Sequence, residues 1–300
     1  MDIELRDLST FVTVAESGSV NRAAALLYVS QPAVTRRIQR LETALDVTLL
    51  DRRARPPTLT PAGKVVLEHC QQILQGVEAL RATTAPGSEP RGEFRLGVAN
   101  SLADLVLADI ADHLRRTFPR LTLRLTTAWS QPLLEQVRVG ALDTALVYQS
   151  EGTQPAVTTA SQFITGIPLV FVAPRERRLP RGLDLATVAA EGWVLNPQGC
   201  GFRTVVRELL DDLAVPLRVA VEAHGVELQL ALVARGAGVS LVPKPLLRRS
   251  RVRTQVQALR IQGHDCRIDV WLVSGRLPTM FTPVVTSLQA QLAHVLLDVE

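Results

Sequence analysis

The sequence predicts a protein of two unlike parts, an all-α N-terminal region and an α/β region that fills roughly the last 200 residues. Apolar residues recur at helical spacing up to about residue 80, whereas from Phe94 onward short β-rich runs alternate with amphipathic helical segments. The stretch APGSEPRG lies between these two patterns. Its proline and glycine residues end the preceding helix and indicate a domain boundary.

The first 45 residues are predicted to form three helices. The apolar residues of the first helix recur at helical spacing until SGS interrupts them, and Ser19 is placed to cap a second helix. After the turn YVS, Ser30 is placed at the N-cap of a third helix and Pro32 in its first turn, where its missing N–H does no harm. We expect one face of this third helix to pack on the other two through Val34, Ile38, Leu41 and Leu45.

The opposite face of the third helix is polar and basic. Two short helices, a tight turn and such a face describe a helix-turn-helix, whose second helix fits the major groove of DNA. Gln31 and Arg36 suit that groove because glutamine and arginine can bond base edges bidentately, and Thr35 can bond a base or touch a thymine methyl. The alternative is a merely solvated helix face. The candidate contacts on this helix are Ser30, Gln31, Pro32, Thr35, Arg36 and Arg37.

The positive charge of the chain is concentrated around this helix. The net charge is only +4, but the segment from Arg22 to Lys64 holds eight basic residues against three acids. Part of this charge lies in DRRARPPTLT, whose adjacent prolines predict an exposed loop or small hairpin. We expect its arginines to meet phosphates or an adjacent minor groove: Arg52, Arg53 and Arg55.

A long helix is predicted to begin at Pro61, after a capping hydroxyl from Thr60. Its apolar seam steps by four, three, four and three through Val66, Cys70, Ile73, Val77 and Leu80. A seam this narrow is typical of a coiled coil. The alternative is a surface helix that lies on its own domain.

Several classes of protein do not fit the sequence. Three widely separated cysteines do not form a secreted disulfide framework, and the N-terminus lacks a signal-peptide pattern. No apolar run approaches the ~18 residues that span a bilayer. The histidines are scattered, and no nucleophile, phosphate-cradling or dinucleotide motif occurs. We therefore expect a cytoplasmic protein that is not an enzyme, with no metal, no cofactor and no membrane partner.

The stretch LSTFVTVAESGSVNRAAALLYVSQPAVTRRIQRLETALDVTLLDR, followed by LTPAG and a long helix, resembles LysR-type transcriptional regulators. The resemblance continues more loosely in GEFRLGV, GALDTALV, LNPQGCGFR and LVARGAGVSLVP. Where this chain has Leu50, the family usually carries another apolar residue, phenylalanine. The family pattern places DNA contacts at Gln31, Pro32, Thr35 and Arg36, with the wing arginines beside them.

The resemblance implies a winged helix-turn-helix over residues 1–60, a dimerising linker helix over 61–86, and an effector-binding domain over 92–300. That domain would have two lobes, like a periplasmic binding protein. Lobe I would comprise residues 92–163 and 268–300, and lobe II residues 164–267.

Four loops that each precede a helix are candidates for the effector site. Helix N-termini present unpaired N–H groups and partial positive charge, which favours a small anionic ligand. Similar proteins line their co-inducer pocket with these loops. Serines could instead cap helices, Trp129 could fill the cleft, Arg203 could form a structural salt bridge, and Cys200 could be an inert small residue or a redox sensor. The candidates are Asn100, Ser101, Trp129, Ser130, Gln198, Gly199, Cys200, Gly201, Arg203 and His224.

The expected function is that of a ligand-responsive transcription factor. The family architecture implies a homodimer joined through the linker helices and assembled further into a homotetramer. It would read a partly palindromic site on double-stranded DNA, sense a small organic effector and have RNA polymerase as a further candidate partner. The alternatives are a constitutive regulator with an occluded cleft, a solute-binding module and an enzyme.

Overall fold

The computed structural model describes residues 3–51, 57–83, 89–156, 160–177 and 183–297. The chain divides into two compact units. The N-terminal unit is built on Met1–Ser88, and the C-terminal unit comprises most of the chain from Glu89 onward. Among the described residues, no helix is both long and apolar enough to cross a membrane.

The N-terminal unit contains the three predicted helices, a small hairpin and a long helix. Its elements are α1 (Leu5–Ser17), α2 (Val20–Leu26), α3 (Gln31–Leu45), β1 (Leu50–Asp51), β2 (Thr58–Leu59) and α4 (Pro61–Thr83). The strands β1 and β2 pair antiparallel, so the described residues on either side of 52–56 form a hairpin, one of the two predicted forms.

A side-chain hydrogen bond caps two of the three predicted helix starts. Ser19 Oγ accepts a bond from the N–H of Arg22 at the start of α2, and Thr60 Oγ1 accepts one from Gly63 at 2.9 Å at the start of α4. Ser30 occupies the N-cap position of α3 as predicted, but its side chain makes no cap bond. Pro32 stands at one of the two positions whose N–H a cap would use, and proline has no N–H to donate.

The core of this unit lies between α1, α2 and α3. Phe11 and Val34 are fully buried, and Ala23 is small enough to let α2 pack closely. Leu45 was predicted to share the buried face of α3, but it is 37% exposed. The helix ends at Leu45, and Asp46 turns into a left-handed conformation, so the last predicted core position lies at the edge of the fold.

The apolar seam of α4 divides between two environments. Cys70 is buried in the core of the N-terminal unit, and the half-buried Val66 packs against that core. Ile73 is 49% exposed, Val77 is half-buried, and the side chain of Leu80 lies outside the described residues. The first part of the seam therefore lies on its own unit, as the alternative prediction had it.

The C-terminal unit alternates strands and helices. Its strands are β3 (Gly92–Ala99), β4 (Leu121–Ala128), β5 (Thr144–Ser150), β6 (Ala160–Pro174), β7 (Trp193–Leu195), β8 (Val219–Glu222), β9 (Ser240–Pro243), β10 (Val256–Leu259) and β11 (Arg267–Ser274). Its helices are α5 (Asn100–Thr117), α6 (Ser130–Arg138), α7 (Leu185–Ala189), α8 (Gly201–Asp211), α9 (Val226–Ala234), α10 (Lys244–Arg249) and α11 (Thr282–Leu297), with a 3₁₀ turn at Thr279–Phe281.

The strands β6 and β11 connect the part of this unit that contains β3, β4 and β5 with the part that contains β9 and β10. The first half of β6 pairs with β11, and its last residues pair with β9 and β10 instead. We expected mostly parallel strands, but β6 and β11 run antiparallel to each other, and all of their other strand partners are also antiparallel to them. The reason is topological: β6 leads the chain away from the part that contains β3, β4 and β5, and β11 leads it back there. The pairs β3–β4, β3–β5 and β7–β8 are parallel, as predicted.

Candidate nucleic-acid interface and ligand cavity

The helix α3 has a buried face and a bare polar face. Val34, Ile38 and Leu41 are at most 2% exposed and face the core. Arg36 and Gln39 are exposed on the other side, and Gln31 is exposed in the first turn of the helix. The apolar spacing therefore positions both groups at once, because residues three or four apart share a helix face.

Side-chain bonds fix α3 to the rest of the N-terminal unit. Arg40 Nη2 donates to Oδ1 of the buried Asp7 on α1 at 2.6 Å. At the other end, Glu42 Oε1 accepts from the backbone N–H of Leu49 at 2.9 Å and of Leu50 at 3.3 Å. These bonds hold the exposed face of α3 in a defined orientation relative to α1 and the hairpin.

The predicted contact residues differ in how strongly the fold holds them. Arg36 is exposed, and its Nε lies 3.4 Å from the carbonyl of Pro32 in its own helix. The half-buried Thr35 donates to the carbonyl of Gln31 at 3.1 Å, and the half-buried Arg37 donates to Thr10 Oγ1 at 3.3 Å. Ser30, Gln31 and Pro32 are exposed at the start of the helix. The predicted wing contacts lie outside the described residues: Arg52, Arg53 and Arg55.

A shallow groove on α3 extends the polar face beyond the predicted residues. Gln39, Arg40 and Thr43 line it together with Arg36 and Arg37. Gln39, Arg40 and Thr43 are not among the predicted DNA contacts. Their spacing of three, four and seven residues from Arg36 was the signal, since such residues are neighbours on a helix surface.

The C-terminal unit contains a cavity of about 340 Å³. Four predicted residues, drawn from three of the four candidate loops, line it: Asn100, Ser101, Trp129 and His224. The other lining residues are Ala103, Asp104, Thr127 and Gly225. The fold therefore brings together the loops of Asn100 and His224, which lie more than 100 positions apart in the chain.

Two aromatic rings face each other at this cavity. The ring centroids of Trp129 and His224 are 6.2 Å apart, and their planes differ by 28°. The φ of Gly199 is +93°, and a Cβ added there would lie 3.5 Å from the Trp129 ring. A planar group in the cavity would therefore meet the indole of Trp129.

The N-termini of two helices border the cavity. Asn100 and the 5% exposed Ser101 begin α5, and Gly225 immediately precedes α9. Asp104, which the sequence analysis missed, adds a carboxyl group one turn into α5. Burial raises the pKa of Asp104, because a partly desolvated carboxylate is less stable in its charged form.

Three of the remaining candidates serve the fold. Ser130 Oγ accepts from the N–H of Tyr148 at 3.0 Å. A Cβ on Gly201 would lie 2.8 Å from Ile268 Cδ1, so a side chain at this position would require the Ile268 side chain to move. Arg203 Nη1 binds Glu222 Oε2 at 2.5 Å, which is the structural salt bridge predicted as the alternative to ligand binding.

The last two predicted residues lie in the turn before α8. Gln198 is exposed, whereas Cys200 is 2% exposed and its Sγ accepts from Asn196 Nδ2 at 3.5 Å. Burial raises the pKa of Cys200, which favours an unreactive thiol over the thiolate that redox chemistry needs. Among the described residues, no group of three or more His, Cys, Asp or Glu side chains is placed to hold a metal ion.

Both units match known protein families. Residues 5–64 match the family described as "Bacterial regulatory helix-turn-helix protein, lysR family", and residues 87–291 match the "LysR substrate binding domain". The HTH-type transcriptional regulator YofA of Bacillus subtilis is 29% identical over 259 residues, which are 85% of this chain and 86% of YofA.

Two solved structures share the fold over nearly the whole chain. Full-length OxyR from Pseudomonas aeruginosa has a TM-score of 0.79 at 20% identity, over 97% of this chain and 95% of OxyR. Full-length CbnR complexed with its target DNA has a TM-score of 0.63 at 24% identity, over 96% of this chain and 99% of CbnR. These matches confirm the predicted fold class.

Proposed function

Because the chain belongs to the LysR family of DNA-binding transcriptional regulators with an effector-binding domain, we propose that α3 reads base edges in the major groove and that the cavity of the C-terminal unit binds the effector. The observation that carries this proposal is the division of α3, whose buried Val34, Ile38 and Leu41 leave Arg36, Gln39 and Thr43 exposed on the opposite face, with Gln31 exposed in the first turn.

Each group on α3 has a distinct role in the proposed contact. Gln31 and Arg36 bond base edges, and the Thr35 methyl can pack on thymine. Arg40 is held by Asp7 and Arg37 by Thr10, so both present fixed positive charge near the phosphates. Ser30 and Pro32 lie at the helix start, where a phosphate is favoured. The wing arginines supply the flanking contacts: Arg52, Arg53 and Arg55.

We propose that the effector is a small organic molecule with a planar group and an anionic group. The planar group would lie against Trp129, and the anionic group would lie at the N-termini of α5 and α9. The lining also contains the Asp104 carboxyl group, which would oppose an anion while it is charged. The raised pKa of Asp104 lessens this opposition at low pH.

We further propose that the protein works as a homodimer joined through α4, and as a tetramer of two such dimers. Two copies of α3 related by a two-fold axis would read a partly palindromic site with half-sites about one helical turn apart. Effector binding would change the angle between the two lobes, and with it the spacing of the DNA-binding units. RNA polymerase is a further partner in this proposal.

The second candidate function is a constitutive regulator. It is favoured by the contact between the rings of Trp129 and His224, because a Trp129 side chain that fills the cleft would exclude an effector. In that case no small molecule would change the affinity for DNA. A solute-binding module or an enzyme would not account for the N-terminal unit.

Genome-wide mapping of bound DNA, followed by footprinting of the recovered sites, tests the proposal. We expect protected half-sites about one helical turn apart, and metabolites of the neighbouring genes would then be screened for an effect on binding. Failure to bind any duplex even at low ionic strength would refute DNA reading. Specific binding that no metabolite alters would favour the constitutive regulator.

A further inference from the structure

Tyr28 lies in an unusual backbone conformation in the turn between α2 and α3. Its φ is +53°, and the only other described non-glycine residues with positive φ are Asp46 and Ala214. This conformation brings the Cβ of any residue other than glycine close to the following carbonyl oxygen, and it is rare for a bulky side chain. Tyr28 is therefore the one large side chain that the fold holds in this conformation among the described residues.

The hydrogen bonds of the turn explain the positive φ of this position, but they do not explain why the residue is a tyrosine. The N–H of Val29 donates to the carbonyl of Ala24 at 3.0 Å, and the N–H of Tyr28 donates to that of Ala25 at 3.3 Å. This pair of bonds is a Schellman motif that ends α2, and Tyr28 occupies the position that glycine usually takes. Glycine would close the same turn without the steric cost.

Among the described residues, no hydrogen bond or ring contact involves the Tyr28 side chain. Tyr28 is 96% exposed, the highest value among the exposed large hydrophobic residues that the structure describes. The apolar residue that often follows such a turn is Val29, which packs against the core. A residue that costs stability and makes no internal contact indicates a contact outside the fold.

The position of Tyr28 in the chain indicates which partner its side chain contacts. It precedes Gln31, the first residue of α3, by three positions, and α3 is the helix proposed to enter the major groove. In a helix-turn-helix the N-terminal residues of the second helix approach the base edges, so the turn before them approaches the sugar-phosphate backbone. Tyrosine hydroxyls are among the side-chain donors that bind DNA phosphates.

We propose that the Tyr28 hydroxyl donates a hydrogen bond to a DNA phosphate at the edge of the groove that α3 enters, with its ring against the adjacent sugar. This inference rests on the proposed reading of DNA by α3. The contact is uncharged and touches no base. It therefore strengthens binding to every sequence equally and releases no counterion.

The test compares Tyr28→Phe and Tyr28→Gly with the wild-type full-length chain, on a duplex recovered by the mapping experiment and on a random-sequence duplex. We expect Tyr28→Phe to weaken binding about threefold to tenfold on both duplexes, with an unchanged salt dependence. Tyr28→Gly removes the ring as well, so it should weaken binding further while raising the unfolding midpoint by a few degrees.

Asp46→Gly is the matched control, because it relieves the same backbone conformation at the far end of α3. It should raise the unfolding midpoint without weakening DNA binding. Wild-type affinity in Tyr28→Phe would overturn the proposal, whatever the effect of Tyr28→Gly, and so would a loss confined to the recovered duplex, which would indicate a base contact. A loss of transcription with normal DNA binding would indicate a protein partner instead. If the wild-type chain itself binds no duplex, it is the proposed function that fails.

Discussion

At the scale of single residues, two arginines show the difference between a side chain that holds the fold and one that remains available to a ligand. Arg203 and Arg36 were both predicted as binding residues from their place near a helix start. The side chain of Arg203 is 15% exposed and pairs with Glu222, whereas the exposed Arg36 donates to the carbonyl of Pro32 in its own helix and has no ion-pair partner among the described residues. The sequence could not distinguish these two arginines, because Glu222 lies 19 positions from Arg203 and reaches it only through the fold.

The first prediction at this scale concerns Arg36. Arg36→Ala should reduce affinity for the specific site by roughly 1–3 kcal/mol and relax the base preference at one position, because a bidentate bond to a base edge is lost. Binding titrations on a set of single-base variants of the site would measure both effects. Arg115→Ala removes the same charge from the C-terminal unit and should leave the base preference unchanged. An equal loss on specific and random DNA would make Arg36 a phosphate contact.

The second prediction concerns Trp129. The protein has three tryptophans, and Trp193 and Trp271 are both buried, whereas Trp129 lines the cavity. An effector in the cavity should therefore change the fluorescence of Trp129, and Trp129→Phe should abolish that change. Trp271→Phe is the control and should retain it. A full signal from the Trp129→Phe protein would show that the effector binds elsewhere or acts on another tryptophan.

The third prediction concerns the charge of Asp104. An anionic effector should bind more tightly as the pH falls through the raised pKa of Asp104, because the carboxyl group becomes neutral. Asp104→Asn should tighten binding at neutral pH by about threefold to tenfold and remove this pH dependence. Isothermal titration across a pH series would measure both, with the exposed Asp109→Asn on the same helix as a control. Weaker binding by Asp104→Asn would instead indicate a cationic effector.

At the scale of elements, helices with a regular apolar pattern were predictable. The end of a helix, and a strand that depends on a distant partner, were not. The buried stripe of α3 follows from residue spacing, yet the exposure of Leu45 depends on the turn at Asp46. The first half of β6 was missed because ASQFITGIP contains exposed and polar residues together with a glycine and a proline. It is a strand because β11 supplies its hydrogen bonds, and pairing with a strand about 100 residues away leaves little local signal.

The fourth prediction concerns two glycines on α4. A Cβ on Gly63 would lie 2.1 Å from the carbonyl oxygen of Leu49, which is backbone and cannot yield without moving the hairpin. Gly63→Ala should therefore lower the free energy of unfolding by about 3 kcal/mol or more. Gly76 lies in the same helix with nothing within 4 Å, so Gly76→Ala should raise it by about 0.5–1 kcal/mol. Denaturant unfolding followed by circular dichroism would compare them, and equal effects would contradict the proposed close packing of α4 on the hairpin.

At the scale of the whole molecule, the sequence predicted two units but not how α4 uses its apolar residues. The core of the N-terminal unit takes Cys70 and packs against Val66, so these residues are not available to a second chain. Val65 and Ile73 remain 54% and 49% exposed on the same helix. Exposed apolar residues two turns apart on one helix favour contact with another helix, which supports the proposed dimer through α4.

The fifth prediction follows from that exposed pair. Ile73→Glu should raise the dissociation constant of the dimer at least about thirtyfold, because a charge replaces apolar surface that both copies would bury. Sedimentation equilibrium would measure this change, and footprinting should show weaker and less symmetric protection of the two half-sites. Leu213→Glu makes the same substitution at an exposed leucine outside α4 and should leave the mass unchanged. A wild-type chain that sediments as a monomer at all concentrations would contradict the dimer itself, and an Ile73→Glu protein of unchanged mass would place its interface elsewhere.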